Sequence, residues 1–278
     1  MSRQLTIIER EGIESSLHEA ADAIMGVYRS GDNRTELKAD NSPVTVADLM
    51  SEKIIMDSLK RITPGIPLLS EESAAGSWQW RRKEKLLWIL DPMDGTREFI
   101  ARNDQFCICL ALIEEGVPVA GFIMIPVEGS LWYAHKGEGV FRLLGTKREE
   151  IHCAPAGKSL KVLLSRSHMV EAEDMWLKKA GSTIGLETEK VGSAIKFCRL
   201  AEGSAGIYPK AGPINDWDIA AGHILVTESG GEMVTTDGLD IVRYNRELTR
   251  QNGFIAMSAA VARSGIDRSL IYFPPLTE

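Results

Sequence analysis

Basic residues are not in excess in this chain. Its 32 lysines and arginines are outnumbered by 39 acids, for a formal net charge of −7 and a pI of about 5.4. A binder of nucleic-acid polymers needs a basic face, so that class is not expected. A small anionic substrate stays open, because a bound cation reverses the local charge. Cysteine is scarce as well. Cys107, Cys109, Cys153 and Cys198 form no C-x-x-C pair, so neither a disulfide framework nor a zinc site is expected. They read as reduced, buried thiols of a cytosolic protein. Cys107 and Cys109 lie two apart in a strand-like run and share one face. Long apolar runs are missing too. The stretches 106–113 and 117–127 are too short or too broken by proline to span a bilayer, and residues 1–10 carry no apolar signal segment. There is no internal repeat and no low-complexity tract.

What is present is an ordinary globular composition, 44% hydrophobic and 26% charged, in a chain long enough for a sizeable core. Apolar residues at helical spacing (Ile13, Leu17, Ala20, Ala21, Ile24, Val27, Tyr28) predict a helix over about 5–29. Turn formers fill 30–43. Thr45-Val46-Ala47-Asp48 has capping-box spacing, with Asp for the commoner Glu or Gln, and opens a helix to about Ile62, ended by Pro64 and Pro67. Leu68-Leu69-Ser70 is a short strand. From Phe106 to Leu144 strands alternate with Gly-containing turns, the pattern of an antiparallel meander. Beyond Pro155 the rhythm changes. Strands at 162–164 and 205–208 alternate with helices at 171–180, 193–202 and 218–229, the last stopped by Gly230-Gly231. The fold class is α/β, layered, with a first lobe at 1–155 and a second at 156–278 that together make one unit.

The densest chemistry lies in Asp91-Pro92-Met93-Asp94-Gly95-Thr96-Arg97-Glu98-Phe99. It follows the apolar run 86–90, which reads as a buried strand. Two carboxylates therefore sit where a strand gives way to a helix, with Pro92 fixing a turn between them. Gly95 and Thr96 offer backbone N–H groups at the helix start. Carboxylates bind hard cations and helix N-termini bind phosphate, so the segment suggests a metal-dependent phosphate site. Glu71, after a strand, and Asp218, at a helix start, are candidates to join Asp91 and Asp94. Four such acids in one place could not all stay ionised without cations, and Mg²⁺ is the natural occupant. Each acid alone reads equally well as a helix cap or a solvated loop residue. Spacing by itself does not bring Glu71 and Asp218 to Asp91.

Three motifs resemble those of the inositol monophosphatase superfamily of magnesium-dependent, lithium-sensitive phosphomonoesterases. They are Ser70-Glu71-Glu72, Asp91-Pro92-Met93-Asp94-Gly95-Thr96 with Phe99, and Trp217-Asp218-Ile219-Ala220-Ala221-Gly222 continuing to Glu228-Ser229-Gly230-Gly231. The resemblance covers nearly the whole chain and implies an α-β-α-β-α sandwich. It implies Glu71, Asp91, Asp94, Asp218 and the Met93 carbonyl as ligands of two or three Mg²⁺ ions. Thr96 with Glu71 would orient the attacking water, Asp48 would lie near a further metal and its waters, and the Gly95 and Thr96 amides would hold phosphate.

Within that superfamily, further stretches resemble the bacterial 3′(2′),5′-bisphosphate nucleotidases, which take adenosine 3′,5′-bisphosphate, a by-product of sulfate assimilation, to AMP. They are residues 38–45, Ser165-Arg166-Ser167-His168, Gly192 to Cys198, and Tyr208 to Pro213. A bisphosphate has a second anion that needs cations or donors. Ser193 and Lys196, three apart on one predicted helix face, and Lys210 with Ser165 and His168 would supply them. Inositol monophosphatases carry an acid near Lys210, and many of the nucleotidases carry Arg there. Lys keeps the charge but loses the bidentate fork. Asp216 stays open between a group behind the metal ligands and a plain surface residue, and His168 and His223 between nucleotide contact and capping. Competing readings are an inositol- or sugar-phosphate phosphatase of the same fold, and a non-catalytic adenosine-bisphosphate binder. A cytoplasmic location is expected, with attachment to the inner face of the membrane open, and the oligomeric state is not specified.

Overall fold

The computed structural model describes residues 2–31, 35–37, 43–155, 159–167 and 169–273. Helix α1 (Ile7–Ser30) opens with a reciprocal cap. The Thr6 hydroxyl accepts from the Glu9 amide, and the Glu9 carboxylate accepts from the Thr6 amide. Strands β1 (Thr35–Leu37) and β2 (Pro43–Thr45) pair antiparallel inside the segment that reads as turn from sequence. Helix α2 (Val46–Ile62) starts at the expected capping box, with the Asp48 carboxylate accepting from the Thr45 amide at 2.8 Å.

A seven-stranded sheet follows. Its strands are β3 (Leu68–Ser70), β4 (Leu86–Asp94), β5 (Cys107–Glu114), β6 (Val117–Ile125), β7 (Ser130–His135), β8 (Gly139–Leu144) and β9 (Lys147–Ile151), in chain order across the sheet. Only β3 and β4 run parallel; the rest form the predicted meander, one strand longer than the sequence pattern indicates. Two short helices, α3 (Trp78–Arg81) and α4 (Thr96–Ile100), flank β4. The second half supplies β10 (Leu160–Ser165), α5 (Glu171–Gly181), β11 (Leu186–Val191), α6 (Ile195–Ala201), β12 (Ile207–Lys210), β13 (Ile214–Asn215), α7 (Asp216–Glu228), β14 (Glu232–Val234), β15 (Arg250–Gln251), β16 (Phe254–Met257) and α8 (Ala259–Ala262). Its five-stranded sheet has the order β11-β10-β12-β16-β14, and β13 pairs with β15 apart from it.

The side-chain alternation of β5 explains the layering. Ile108, Leu110 and Leu112 face the core beneath α1 and α2, while Cys107, Cys109, Ala111 and Ile113 face the core shared with α6 and α7. A strand buried on both faces must read as a continuous apolar run, and this one does. The second sheet closes the middle layer with Leu163, Tyr208, Phe254 and Ala256, and its far face packs on Trp176 and Ala180 of α5 and on Val261 of α8. The result is the expected α-β-α-β-α sandwich, with α6 and α7 as its central layer. Helix α7 lies close on the first sheet: a Cβ at Gly121 of β6 would stand 2.4 Å from Ile224 and 2.8 Å from the Ala221 carbonyl. Among the described residues no helix is long and apolar enough to cross a membrane.

Candidate active site

The acids arrive from three directions. Strands β3 and β4 are parallel neighbours with Ser70 opposite Leu90, so Glu71 and Asp91 emerge side by side at their carboxyl ends. Asp91 continues the alternation of Leu87 and Ile89, which points it at the central helical layer. Helix α7 meets it there with Asp218, in the first turn, accepting from the Asn215 amide at 3.1 Å. A carboxylate is favoured at that end of a helix. Carboxylate oxygens of Glu71, Asp91 and Asp218 lie within 4.8 Å of one another.

The strand does not end at Leu90, as the sequence pattern has it. Strand β4 runs on through Asp94, and the register slips between Asp91 and Asp94. Pro92 sits in that irregularity, where its missing N–H costs no ladder bond. The buried Ser51 hydroxyl of α2 donates to the Pro92 carbonyl at 2.7 Å, and the Met93 amide donates to Asp91 at 2.9 Å, so the bulge is held from both sides. Gly95 then turns the chain at φ 98°, and a Cβ there would stand 2.9 Å from the Gln105 carbonyl. Thr96 follows. Its hydroxyl donates to Asp48 at 3.2 Å and stands 3.3 Å from the Met93 carbonyl. Phe99 anchors this corner, with ring centroids 5.1 Å from Tyr28 and 5.2 Å from Phe106.

Burial, and then the carboxylates of Glu71, Asp94 and Asp218, push Asp91 well above the usual carboxylate range. Burial, Asp94 and Glu71 do the same to Asp218. Burial also raises Asp94, against the Lys196 ammonium and the Ala194 amide, which donates to it at 2.6 Å. Burial lifts Asp48 despite its bonds to Thr45. Carboxylate oxygens of Glu71, Asp91 and Asp218 crowded within 4.8 Å of one another are the donor set of a hard divalent ion, so the residues present fit Mg²⁺.

Glu71, Asp91, Met93, Asp94, Gly95, Thr96 and Asp218 line a cleft of about 310 Å³, and Ser165, Ser193, Lys196, Tyr208 and Lys210 line it with them, Lys196 close enough to Asp94 to act on its carboxylate. Both lysines are buried and partnered. Lys196 donates to the carbonyls of Val191 at 3.1 Å and Ser193 at 2.5 Å, and its Nζ lies 4.9 Å over the Tyr208 ring. Burial pushes its ammonium down, against the pull of Asp94. Lys210 forms a 3.2 Å ion pair with Glu173 of α5, both side chains being at most 5% exposed. Ser165 and Tyr208 share a 3.3 Å hydroxyl contact.

Of the residues singled out from sequence, Glu71, Asp91, Met93, Asp94, Gly95, Thr96, Ser165, Ser193, Lys196, Lys210 and Asp218 all line this one cleft. Asp48 stands behind Thr96. His168 and residues 38–42 lie outside the described residues. Ser193 is not on a helix face with Lys196. It precedes α6 with φ 48°, and Lys196 folds back onto its carbonyl. Helix α7 begins two residues earlier than expected, at Asp216. That residue is neither exposed nor in the cleft lining: it is fully buried, accepts from Gln251 at 2.6 Å, and burial raises its pKa to about 7. His223 is buried, bonded to Tyr244 at 3.0 Å, and does not line the cleft. Sequence reasoning missed Glu98, Arg97 and Arg250 on the cleft wall and Glu173 behind Lys210. The first two lie inside the motif already quoted; nothing local marks the others.

The model of the inositol monophosphatase family matches residues 9–267. The chain is 40% identical over 237 residues to a 3′(2′),5′-bisphosphate nucleotidase, CysQ, of Escherichia coli O6:H1, which covers 84% of this chain and 94% of that protein. A crystal structure of CysQ from Bacteroides thetaiotaomicron superposes with a TM-score of 0.80 at 31% identity, covering 91% of this chain and 98% of that one. Inositol monophosphatase II of Staphylococcus aureus shares the fold at TM-score 0.74 and 19% identity, over 97% of each chain.

Proposed function

The chain belongs to the inositol monophosphatase family, and on that premise we propose that it is a metal-dependent 3′(2′),5′-bisphosphate nucleotidase. It removes the 3′-phosphate of adenosine 3′,5′-bisphosphate by attack of water and leaves AMP. The observation that carries this reading is the convergence of Glu71, Asp91 and Asp218 in a cleft that Lys196 and Lys210 also line.

Two or three bound Mg²⁺ ions would activate a water, clamp the phosphate and stabilise the leaving alkoxide. Glu71, Asp91, Asp94, Asp218 and the Met93 carbonyl would hold them. The Thr96 hydroxyl spends its proton on Asp48, which leaves its lone pairs to accept a hydrogen bond from water and, with Glu71, to orient it. The Gly95 and Thr96 amides face the phosphate. Ser165, Ser193, Lys196 and Lys210 recognise the second phosphate and the nucleoside, with His168 as a further contact. Buried free thiols at Cys107, Cys109 and Cys198 agree with a cytoplasmic location.

One observation favours a second reading, an inositol- or sugar-phosphate phosphatase. Lys210 already pairs with Glu173, so its charge is partly spent before any ligand arrives. Phosphate release with Mg²⁺ from adenosine 3′,5′-bisphosphate and inositol 1-phosphate, measured in parallel, separates the two. Preference for the nucleotide supports the proposal; preference for the inositol ester overturns its substrate while keeping the acidic site.

A further inference from the structure

Across the sheet register from Asp91 and Asp94 lie two sulfur donors that phosphate-ester hydrolysis does not use. Cys107 and Cys109 are successive residues on the inner face of β5, and the register sets Cys107 opposite Asp94 and Cys109 opposite Asp91. Side chains two apart on a strand start roughly 6–7 Å from each other. The two thiols instead turn together, with their Sγ atoms 3.8 Å apart. A tetrahedral ion with metal–sulfur bonds of about 2.3 Å spans two sulfurs separated by about 3.8 Å. A carboxylate oxygen of Asp94 completes the group, all three atoms lying within 4.8 Å of one another.

Two sulfurs and one carboxylate oxygen suit a thiophilic divalent ion, whereas Mg²⁺ takes oxygen ligands almost alone. Both thiols are buried, but Asp94 reaches the cleft, so an ion can enter by way of that carboxylate.

We propose that Asp94, Cys107 and Cys109 form a thiophilic metal site, for ions of the zinc and cadmium class, which withdraws Asp94 from the phosphatase centre when filled. Each thiol gives its proton to solvent on ligation, and nothing is oxidised or reduced. The binding claim stands on this geometry alone; the inhibition claim rests on the proposed function.

The test is titration of chelator-treated protein with Cd²⁺, read by the ultraviolet thiolate-to-cadmium charge-transfer absorption. The band should saturate at one equivalent in the unaltered protein and in Cys153→Ser/Cys198→Ser. It should be lost or halved in Cys107→Ser and in Cys109→Ser. X-ray absorption of the zinc-loaded unaltered protein should count two sulfur neighbours, a reading that holds even if a serine variant fails to fold. Under saturating Mg²⁺, the Cd²⁺ concentration that halves phosphate release should rise at least about tenfold in Cys107→Ser, as expected for loss of a ligand. Absence of the band, its persistence in both serine variants, or zinc without sulfur neighbours overturns the site. Sulfur ligation without any hydrolysis of phosphomonoesters would instead overturn the proposed function and leave the metal site standing.

Discussion

Two groups of charged side chains line the same cleft: Glu71, Asp91 and Asp218 bring carboxylate oxygens within 4.8 Å of one another, whereas Lys196 and Lys210 are each already held by oxygens of the protein. The first arrangement disfavours the ionised form of Asp91 and Asp218, a penalty that a cation would relieve. Lys210 is paired with a carboxylate, whereas Lys196 keeps its charge and is fixed by two carbonyls near Asp94. On the proposed function the acids hold the metal while the lysines and Ser165 select the leaving group, so variants in the two groups should fail in different ways.

The largest effect belongs to the acidic cluster. Asp91→Asn should cut turnover by orders of magnitude while far-UV circular dichroism stays unchanged, since burial and its neighbours already disfavour the charge at that position. Loss of the fold, or unchanged turnover, would remove the contrast between the acids and the lysines. Next comes the ion pair of Lys210. Glu173→Gln takes the carboxylate from a buried ammonium, and breaking such a pair costs about 3–5 kcal/mol. Glu173→Gln/Lys210→Met should recover part of that loss in urea unfolding, and an equal loss in both would deny the pairing. Lys196→Ala should raise KM for the bisphosphate more than for adenosine 3′-monophosphate, leaving kcat less affected. Equal shifts would make Lys196 a scaffold for the turn at Ser193.

A smaller effect tests the core beside the site. Burial pushes His223 from 6.5 down to about 4. A group depressed in the folded state contributes stability that is whole above its unfolded pKa and lost as pH falls through the folded one. Stability should therefore decline from pH 6.5 toward 4, and His223→Gln should flatten that decline in urea titrations at a series of pH values. An identical slope in the variant would place the loss on other groups.

How much of this was legible depended on how local the signal was. Asp91, Asp94, Gly95 and Thr96 were readable because nine residues carry two carboxylates and a turn. The capping box at Thr45 was readable for the same reason, and the meander because each turn carries its own glycine. The continuation of β4 through Asp94 was hidden, since a proline between two acids reads as a turn and here marks a bulge in a strand. Ser193 misled because periodicity does not report a positive φ. That Glu71 and Asp218 meet Asp91 depends on two sheets sandwiching α7, which no local pattern states; resemblance to a family carried that step. Glu173 had no signal at all, because helix α5 reaches Lys210 only through the packing of the second sheet. The shared face of Cys107 and Cys109 was legible, but their closeness to Asp94 was not, since it follows from the cross-strand register.

The most direct measurement is calorimetric titration of Mg²⁺ into chelator-treated protein, with Asp91→Asn and Asp218→Asn beside it. Saturable binding and a raised Tm in the unaltered protein, both strongly weakened in the two variants, are the predicted result. Absence of binding, or binding that both variants retain in full, would contradict the claim that this cluster is held for a cation.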